Sequence, residues 1–266
     1  IVKLIANATA RFLRAQTLIV GEDVRTSSPS LRHAVIEGLT ATGCNVIYIG
    51  QCTTPLFYFA VNTLGFDGGI MITASHNPPQ YNGLKIVRKK SVPVDLMSGL
   101  GEIRRLASEG YSEGESRGEV EHRLRLADEY IDFLKHSTTL RPGQVSLKVV
   151  ADAAGGAVPI VMQPLFDALQ IDYEPLSFDI DGTFAHANPN PLAPHALDHI
   201  MNAVKKNKAD VGLAFDGDGD RLVVVDETGQ AIDAQYILAL LWEFHPTRVV
   251  CVLRFSRVVR TLLGVQ

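Results

Sequence analysis

The sequence predicts an α/β protein of consecutive α/β domains, each with a mixed, mostly parallel sheet sandwiched by helices. Short apolar runs rich in Val and Ile alternate with helical stretches of about 10 to 15 residues. The runs end in turns that contain Gly, Ser or Asp. The alternation stops in a polar stretch and then begins again, which indicates a second domain. Strand–helix–strand units of this kind predict parallel strands with right-handed crossovers.

The N-terminal part contains three strand–helix units. A β-prone run ends at Gly21 and leads into a loop. Ser28 is expected to cap the next helix, because Pro29 suits the first helical position, and Gly43 is expected to end that helix. The predicted helices are 1–13, 28–41 and 54–64, and the predicted strands are 17–20, 45–50 and 69–72.

The stretch 108–121 is rich in Gly, Ser and Glu, which is typical of a domain boundary. Pro164 is expected to kink its helix. Beyond the boundary we predict helices at 124–134, 158–169 and 195–206, strands at 146–151, 211–215 and 222–225, and an irregular segment at 178–193. The predicted domains are 1–118, 119–229 and 230–266, the last being the beginning of a third domain with a strand–helix start at 248–263.

Composition narrows the class of protein. The chain has 266 residues, is 46% hydrophobic and 20% charged, and carries a net charge of −4. This balance gives no indication of nucleic acid or an anionic membrane surface as a partner, and no apolar run approaches membrane-spanning length. Three widely spaced cysteines, Cys44, Cys52 and Cys251, suit a reducing cytoplasm better than disulfides or a zinc site.

A serine turn follows the third predicted strand. It reads Thr-Ala-Ser-His-Asn-Pro at 73–78. Pro78 disfavours a helical Asn77, so the turn is expected to stay open and to present Ser75 rather than bury it. A serine beside a histidine is a candidate phosphoryl or acyl carrier, whereas an isolated Ser-His pair is more often an ordinary turn. Two downstream segments, 82–85 and 216–221, favour the functional interpretation.

The segment 216–221 reads Asp-Gly-Asp-Gly-Asp-Arg between two apolar runs. Side chains two residues apart in a glycine-containing loop can turn towards one centre. Three carboxylates repel each other, and a divalent cation relieves that repulsion. Oxygen ligands indicate Mg²⁺ or Ca²⁺. Removing one carboxylate, as in Asp218→Asn, is therefore expected to weaken Mg²⁺ binding and to leave the metal-free fold as stable or slightly more stable.

An EF-hand is one interpretation of this loop. Asp216, Asp218, Asp220 and Glu227 occupy loop positions one, three, five and twelve. Arg221 stands where that motif requires glycine, and strands rather than helices flank the segment. The EF-hand interpretation therefore fails.

Two other interpretations remain open from the residues. In an aspartyl phosphatase, Asp216 would be the nucleophile and Asp218 its acid/base, which leaves Ser75 and Lys85 without a role. Alternatively, the loop is a metal site that serves Ser75. The cation would neutralise a phosphate on the serine, and Arg221 would add a bidentate phosphate donor.

Together these motifs resemble the α-D-phosphohexomutase family, most closely its bacterial phosphomannomutase/phosphoglucomutase branch. The resemblance covers nearly the whole chain. The matching stretches are Gly-x-Asp-x-Arg-x-Ser-Ser-Pro at 21–29, the run 69–78, Tyr-Asn-Gly-Leu-Lys-Ile-Val at 81–87, Pro-Asn-Pro-Leu at 189–192, and 214–221.

The resemblance implies a mechanism. Ser75 would be carried as phosphoserine, and Mg²⁺ would be held by its phosphate with Asp216, Asp218 and Asp220. The phosphoserine would phosphorylate a mannose or glucose monophosphate, the resulting 1,6-bisphosphate would turn round, and the serine would take back the other phosphoryl group. The implied partners are therefore hexose phosphates.

The resemblance also assigns roles to four further residues. Lys85 matches the lysine proposed as general acid/base, with a solvated lysine at a strand end as the alternative. His76 would orient the serine loop or assist proton transfer. Arg221 would bind phosphate. Arg25 would contact substrate phosphate, with an arginine paired to Asp23 as the alternative.

The sequence departs from the family pattern in its extent. The family has four domains, and the resemblance covers the first two and the beginning of the third. The stretches Tyr-Asp-Ile-Arg-Gly, Glu-x-x-Gly-His and Arg-x-Ser-Asn-Thr are absent, and the Asp-Val-Lys stretch appears as Val-Leu-Arg at 252–254, although arginine cannot exchange protons at neutral pH. We therefore expect either a portion of a longer enzyme or a truncated chain that binds metal and phosphate without isomerising sugars.

Overall fold

The computed structural model describes residues 1–138 and 140–244. Two mixed sheets with helices on their faces confirm the predicted fold class. The predicted strand–helix start at 248–263, the stretch 252–254 and Cys251 lie outside the described residues. Within them, no helix is both long and apolar enough to cross a membrane.

The first sheet has six strands in the order β5-β4-β3-β1-β2-β6. Its three central strands are parallel, as predicted, and β4 adds to β3 in the antiparallel sense. The strands are β1 (Thr17–Glu22), β2 (Asn45–Gln51), β3 (Gly68–Ile72), β4 (Leu84–Arg88), β5 (Val92–Pro93) and β6 (Val120–His122).

Helices cover both faces of this sheet. Successive strand residues point to opposite sides, so neighbouring residues of one strand pack against different helices. Leu18 and Val20 pack with helices α1, α2 and α4, whereas Ile19 packs with α3 and α5. The helices are α1 (Val2–Leu13), α2 (Ser28–Thr40), α3 (Thr54–Leu64), α4 (Gly101–Ser108) and α5 (Leu126–Ser137), with a 3-10 turn at Lys89–Ser91 and a π-helical turn at Leu96–Leu100.

The start of α2 differs from the prediction by one residue. Ser27, not Ser28, is the N-cap, and no side chain caps the helix. The Ser28 hydroxyl instead donates a 2.6 Å hydrogen bond to Asp23 Oδ1. A buried carboxylate therefore takes the hydroxyl that the sequence pattern assigned to the helix terminus.

The second sheet has five strands in the order β11-β10-β9-β7-β8. Helix α7 packs on one face through Ile200 and Val204, and α6 packs on the other through Phe166. The elements are β7 (Lys148–Asp152), α6 (Pro159–Leu169), β8 (Asp172–Leu176), α7 (Asp198–Asn207), β9 (Val211–Phe215), β10 (Leu222–Asp226), β11 (Ala231–Ile232) and α8 (Ala234–Phe244).

Three predictions concern Pro164, the segment 178–193 and the boundary at residue 118. Helix α6 continues through Pro164, and 178–193 contains neither helix nor strand, as predicted. The first sheet takes its last strand, β6, from beyond residue 118. The domain limits at 118 and 229 stay predictions.

Candidate active site

The serine turn follows β3 at the carboxyl edge of the first sheet. Ser75 has a left-handed backbone (φ 53°), a conformation that non-glycine residues keep only when their surroundings enforce it. Its N–H donates to Thr73 Oγ1 at 2.8 Å, and its hydroxyl donates to Asp216 Oδ2 at 2.7 Å. The residue is only 7% exposed. The prediction that the turn presents Ser75 rather than burying it is therefore wrong, because the acidic loop of the second sheet lies directly against it.

Arg25 binds the backbone of the serine turn. Its side chain is fully buried and pairs with Asp23, with Nε 3.0 Å from Oδ2. Its remaining guanidinium donors bind four carbonyl oxygens of the turn, those of Ser75, Asn77, Pro78 and Tyr81, at 2.7 to 3.1 Å. The guanidinium has only five N–H groups, and all of them bind protein. This geometry favours the alternative of an arginine paired with Asp23, and substrate binding by Arg25 stays a prediction.

The acidic loop joins the antiparallel strands β9 and β10. Carboxylate oxygens of Asp216, Asp218 and Asp220 lie within 4.8 Å of one another. Asp216 Oδ1 accepts the backbone N–H groups of Asp220 and Arg221 at 3.0 and 3.1 Å. The loop's own amides thus fix one end of this carboxylate, while its other end faces Ser75.

Lys85 lies among these carboxylates. Its Nζ is 2.7 Å from Asp218 Oδ2 and 2.6 Å from Asp220 Oδ2. It projects from β4, the strand that pairs with β3. The structure therefore brings Ser75, Lys85 and the three aspartates into one site, although more than 130 residues separate Lys85 from the acidic loop.

The remaining predicted residues lie at the edge of this site. His76 Nδ1 is 3.5 Å from Ser75 Oγ, which is the limit of hydrogen-bond distance. The Arg221 side chain is 45% exposed, with Nε 3.9 Å from Asp220 Oδ1. It is the more accessible of the two arginines predicted to bind phosphate, since Arg25 is buried.

The two sheets meet at the site through backbone contacts that glycine permits. A Cβ on Gly217 would lie 2.8 Å from the Ser75 carbonyl oxygen, and one on Gly156 would collide with the Gly217 carbonyl. The N–H of Thr54, the first residue of α3, donates to the Asp218 carbonyl at 2.9 Å. Phe184 places its ring 4.9 Å from the Arg25 guanidinium. The acidic loop is therefore fixed against the serine turn by packing as well as by charge.

Burial and neighbouring charges shift the pKa values of the two buried carboxylates, Asp216 and Asp218, in opposite directions. Burial raises the pKa of Asp216, and the charge of Asp218 raises it further. Burial also acts to raise the pKa of Asp218, but the charge and hydrogen bond of Lys85 outweigh it and lower that pKa. The negative charge of Asp218 is thus favourable without a metal. This argues against the expectation that Asp218→Asn leaves the metal-free fold as stable as before.

The pKa values of the two basic groups, Lys85 and His76, shift in opposite directions. Burial acts to lower the pKa of Lys85, but Asp218 and Asp220 outweigh it and raise that pKa. Burial, followed by the charge of Arg221, lowers the pKa of His76. This arrangement favours the charged form of Lys85 beside the aspartates and the neutral form of His76 beside the serine.

The residues present fit a divalent cation. Asp218 Oδ1 is buried and has no hydrogen-bond partner, and a buried carboxylate oxygen without a partner is costly. One carboxylate oxygen from each of Asp216 and Asp220 lies within 4.8 Å of a carboxylate oxygen of Asp218. Oxygen-only ligands of this kind suit Mg²⁺, and Ser75 and the three aspartates are the residues that would hold it.

Sequence reasoning missed two hydroxyls of the site. Thr54 Oγ1 and Thr73 Oγ1 both donate to Asp218 Oδ2, at 2.7 and 3.1 Å. Both are buried. Each stands at the carboxyl edge of the first sheet, after a strand, and that position was the available signal.

Fold and site together define a class of protein: an α/β protein in which a serine turn faces a loop of three clustered aspartates that could hold a metal ion. The comparisons with known proteins identify the family. Residues 1–105 match the profile of phosphoglucomutase/phosphomannomutase alpha/beta/alpha domain I, and residues 128–229 match that of domain II. The chain belongs to the phosphoglucomutase/phosphomannomutase family, as its motifs predict.

Individual relatives agree. A phosphomannomutase of Vibrio cholerae is 40% identical over 251 residues, and one of Escherichia coli K12 is 38% identical over 251; each match covers 90% of this chain and 54% of the relative. The crystal structure of a phosphoglucomutase/phosphomannomutase family protein from Burkholderia thailandensis superimposes with a TM-score of 0.81 at 34% identity, covering 91% of this chain and 54% of that one. The chain thus spans about half the length of the relatives it matches.

Proposed function

We propose that the protein is a Mg²⁺-dependent phosphohexomutase that interconverts hexose 6-phosphates and hexose 1-phosphates, with mannose and glucose phosphates as substrates. One observation carries the proposal: the Ser75 hydroxyl donates a 2.7 Å hydrogen bond to Asp216, which is one of three clustered aspartates. The family membership supports the same reaction.

In the proposed first step, Ser75 carries a phosphoryl group. The P–Oγ bond of phosphoserine breaks as a free hydroxyl of the bound sugar monophosphate forms a new P–O bond. The sugar hydroxyl loses its proton, and the serine oxygen gains one. The product is a hexose 1,6-bisphosphate. After the bisphosphate turns round, the reverse transfer returns its other phosphoryl group to Ser75.

The residues of the site suit this chemistry, which depends mainly on positioning and charge neutralisation. Arg25 and Thr73 hold the serine turn in its left-handed conformation. Arg221 is the exposed cation that we assign to substrate phosphate. Lys85 is assigned to proton exchange with the sugar hydroxyl. A bound Mg²⁺ would supply charge neutralisation at the transferred phosphoryl group.

The geometry favours the serine over an aspartyl-phosphatase mechanism. Asp216 and Asp218 are fully buried. Asp216 accepts hydrogen bonds at both oxygens, which leaves it poorly placed as a nucleophile. Ser75 is the alternative nucleophile beside them.

The test combines activity with the location of the phosphate. The natural polypeptide, whatever its length, is incubated with hexose 1,6-bisphosphate, and the modified residue is mapped by mass spectrometry. We expect a phosphate on Ser75 that is stable to hydroxylamine, and loss of mannose and glucose 1-phosphate turnover in Ser75→Ala. A hydroxylamine-labile phosphate on Asp216, or undiminished turnover in Ser75→Ala, would overturn the proposal.

A further inference from the structure

The two oxygens of Asp218 lie in opposite environments. Oδ2 accepts hydrogen bonds from Thr54 Oγ1, Thr73 Oγ1 and Lys85 Nζ. Oδ1 is equally buried and accepts none. A carboxylate fixed by several donors on one oxygen cannot rotate freely about its terminal bond. The other oxygen therefore keeps a single direction, which is the requirement for a metal ligand.

Thr54, the first residue of α3, donates two hydrogen bonds to Asp218. Its N–H donates to the Asp218 carbonyl at 2.9 Å, and its hydroxyl donates to the Asp218 carboxylate at 2.7 Å. The hydroxyl is free to do so because Thr53, not Thr54, accepts the capping hydrogen bond of α3. Thr54 thus fixes both the backbone and the side chain of one residue in the acidic loop.

Thr73 connects Asp218 to the serine turn. Its hydroxyl donates to Asp218 Oδ2 at 3.1 Å and accepts the Ser75 N–H at 2.8 Å. A hydroxyl that accepts one hydrogen bond becomes a better donor for the next. The chain Ser75 N–H, Thr73 hydroxyl and Asp218 carboxylate therefore links the conformation of the serine to the orientation of the aspartate.

We propose that Thr54 and Thr73 are positioning residues, which fix Asp218 Oδ2 so that Oδ1 points into the cation site, and that Thr73 also ties the left-handed Ser75 to the same carboxylate. The inference rests on the proposed Mg²⁺ site and adds two residues to it. Groups that orient a metal ligand typically change metal affinity by about 10- to 100-fold when removed.

The first experiment measures Mg²⁺ affinity by calorimetric titration of the full chain with MgCl₂. Thr54→Val and Thr73→Val keep the shape of the side chain and lose the hydroxyl. We expect each to bind Mg²⁺ roughly 10-fold more weakly than the parent or worse. Thr54→Ser and Thr73→Ser keep the hydroxyl and should stay within about threefold of the parent. Recovery in the serine variants separates positioning from packing.

Thr53→Val is the matched control. It removes the side-chain cap of the same helix, whose hydrogen bond from Leu56 N is 3.3 Å long. It leaves the hydrogen bond from the Thr54 hydroxyl to Asp218 in place. It should lower stability without lowering Mg²⁺ affinity. If one valine variant does not fold, the other tests the same oxygen from a different element.

A second readout separates the two threonines. Hydrogen exchange of the Ser75 amide should become faster in Thr73→Val and stay unchanged in Thr54→Val, because only Thr73 accepts that N–H. If the parent binds Mg²⁺ and both valine variants bind it equally well, the positioning roles are refuted while the proposed function stands. If the parent binds no Mg²⁺, the proposed metal site fails, and the positioning roles with it.

Discussion

The hydroxyl of Ser75 and the carboxylate of Asp216 meet at 2.7 Å although 141 positions separate them in the chain. The contact forms because two sheet edges face each other: the serine turn follows β3, and the acidic loop follows β9. The carbonyl oxygen of Ser75 also lies against Gly217. The nucleophile candidate is therefore held by the second sheet through both its side chain and its backbone.

Gly217→Ala should push these two loops apart. The added Cβ would lie 2.8 Å from the Ser75 carbonyl oxygen, and a backbone atom cannot move aside as a flexible side chain can. We expect a cost of about 1–3 kcal/mol in the free energy of unfolding and a weaker response to Mg²⁺, both measured by urea denaturation with and without MgCl₂.

Gly101→Ala is the control, because helical Gly101 has no atom near its Cβ position and alanine there should stabilise by up to about 1 kcal/mol. Equal effects of the two substitutions would contradict the packing argument.

Arg25→Met should destabilise the protein even without substrate. It leaves Asp23 as a buried charge without its partner and frees four carbonyl oxygens of the serine turn. Breaking a buried ion pair on one side typically costs about 3–5 kcal/mol, and urea denaturation of the metal-free protein measures it. Arg105→Met is the control, since this arginine is 55% exposed and pairs on the surface with Glu102, where the effect should be within about 1 kcal/mol. A variant of parental stability with only a raised KM would instead support substrate binding by Arg25.

His199 should make stability depend on pH. Its Nε2 lies 2.7 Å from Oδ2 of the buried Asp152, and this hydrogen bond raises the pKa of His199. A raised pKa favours the charged form in the folded state, so the stabilisation is complete below about pH 6.5 and is lost as the pH rises through the folded pKa. The stability advantage of the parent over His199→Gln should therefore be larger at about pH 6 than at about pH 9.

Thermal or urea unfolding at the two pH values measures this difference. His195→Gln serves as its control, because His195 also faces an aspartate, Asp198, but is 87% exposed. The control should show no such loss between the two pH values. If the stability advantage of the parent over His199→Gln instead grew towards alkaline pH, the assigned ion pair of His199 with Asp152 would be contradicted.

Local patterns were sufficient to predict strands β1, β2, β3 and β9, since each consists mainly of apolar residues and glycine. Strand β4 was missed, because Leu84–Arg88 carries Lys85 and Arg88 among its apolar residues. Strand β8 was missed because Pro175 interrupts it, and proline is tolerated there since β8 is the edge strand of its sheet.

The site was predictable in its residue types and not in its contacts. The acidic spacing pointed to a cation, and the three predicted aspartates do form a cluster that could hold one. Nothing local to Ser75 could show that it is buried, since the residues that cover it come from the second sheet. Likewise, the difference between Asp216 and Asp218 depends on Lys85, which only the antiparallel β4 brings to the loop.

Lys85→Met should lower the stability of the metal-free protein and enlarge the stabilisation by Mg²⁺. The lysine neutralises Asp218 and Asp220 at 2.7 and 2.6 Å, so its loss restores the repulsion among three carboxylates. A cation then relieves more repulsion, because the ammonium no longer neutralises the same carboxylates. Because a ligand stabilises the folded state by mass action, the Mg²⁺-induced rise in Tm should be larger in Lys85→Met than in the parent. Lys89→Met replaces an exposed lysine directly after β4 and should match the parent in both measurements. A smaller Mg²⁺ response in Lys85→Met would show that the lysine helps to build the metal site, and the account of Lys85 as the countercharge of an empty cluster would be wrong.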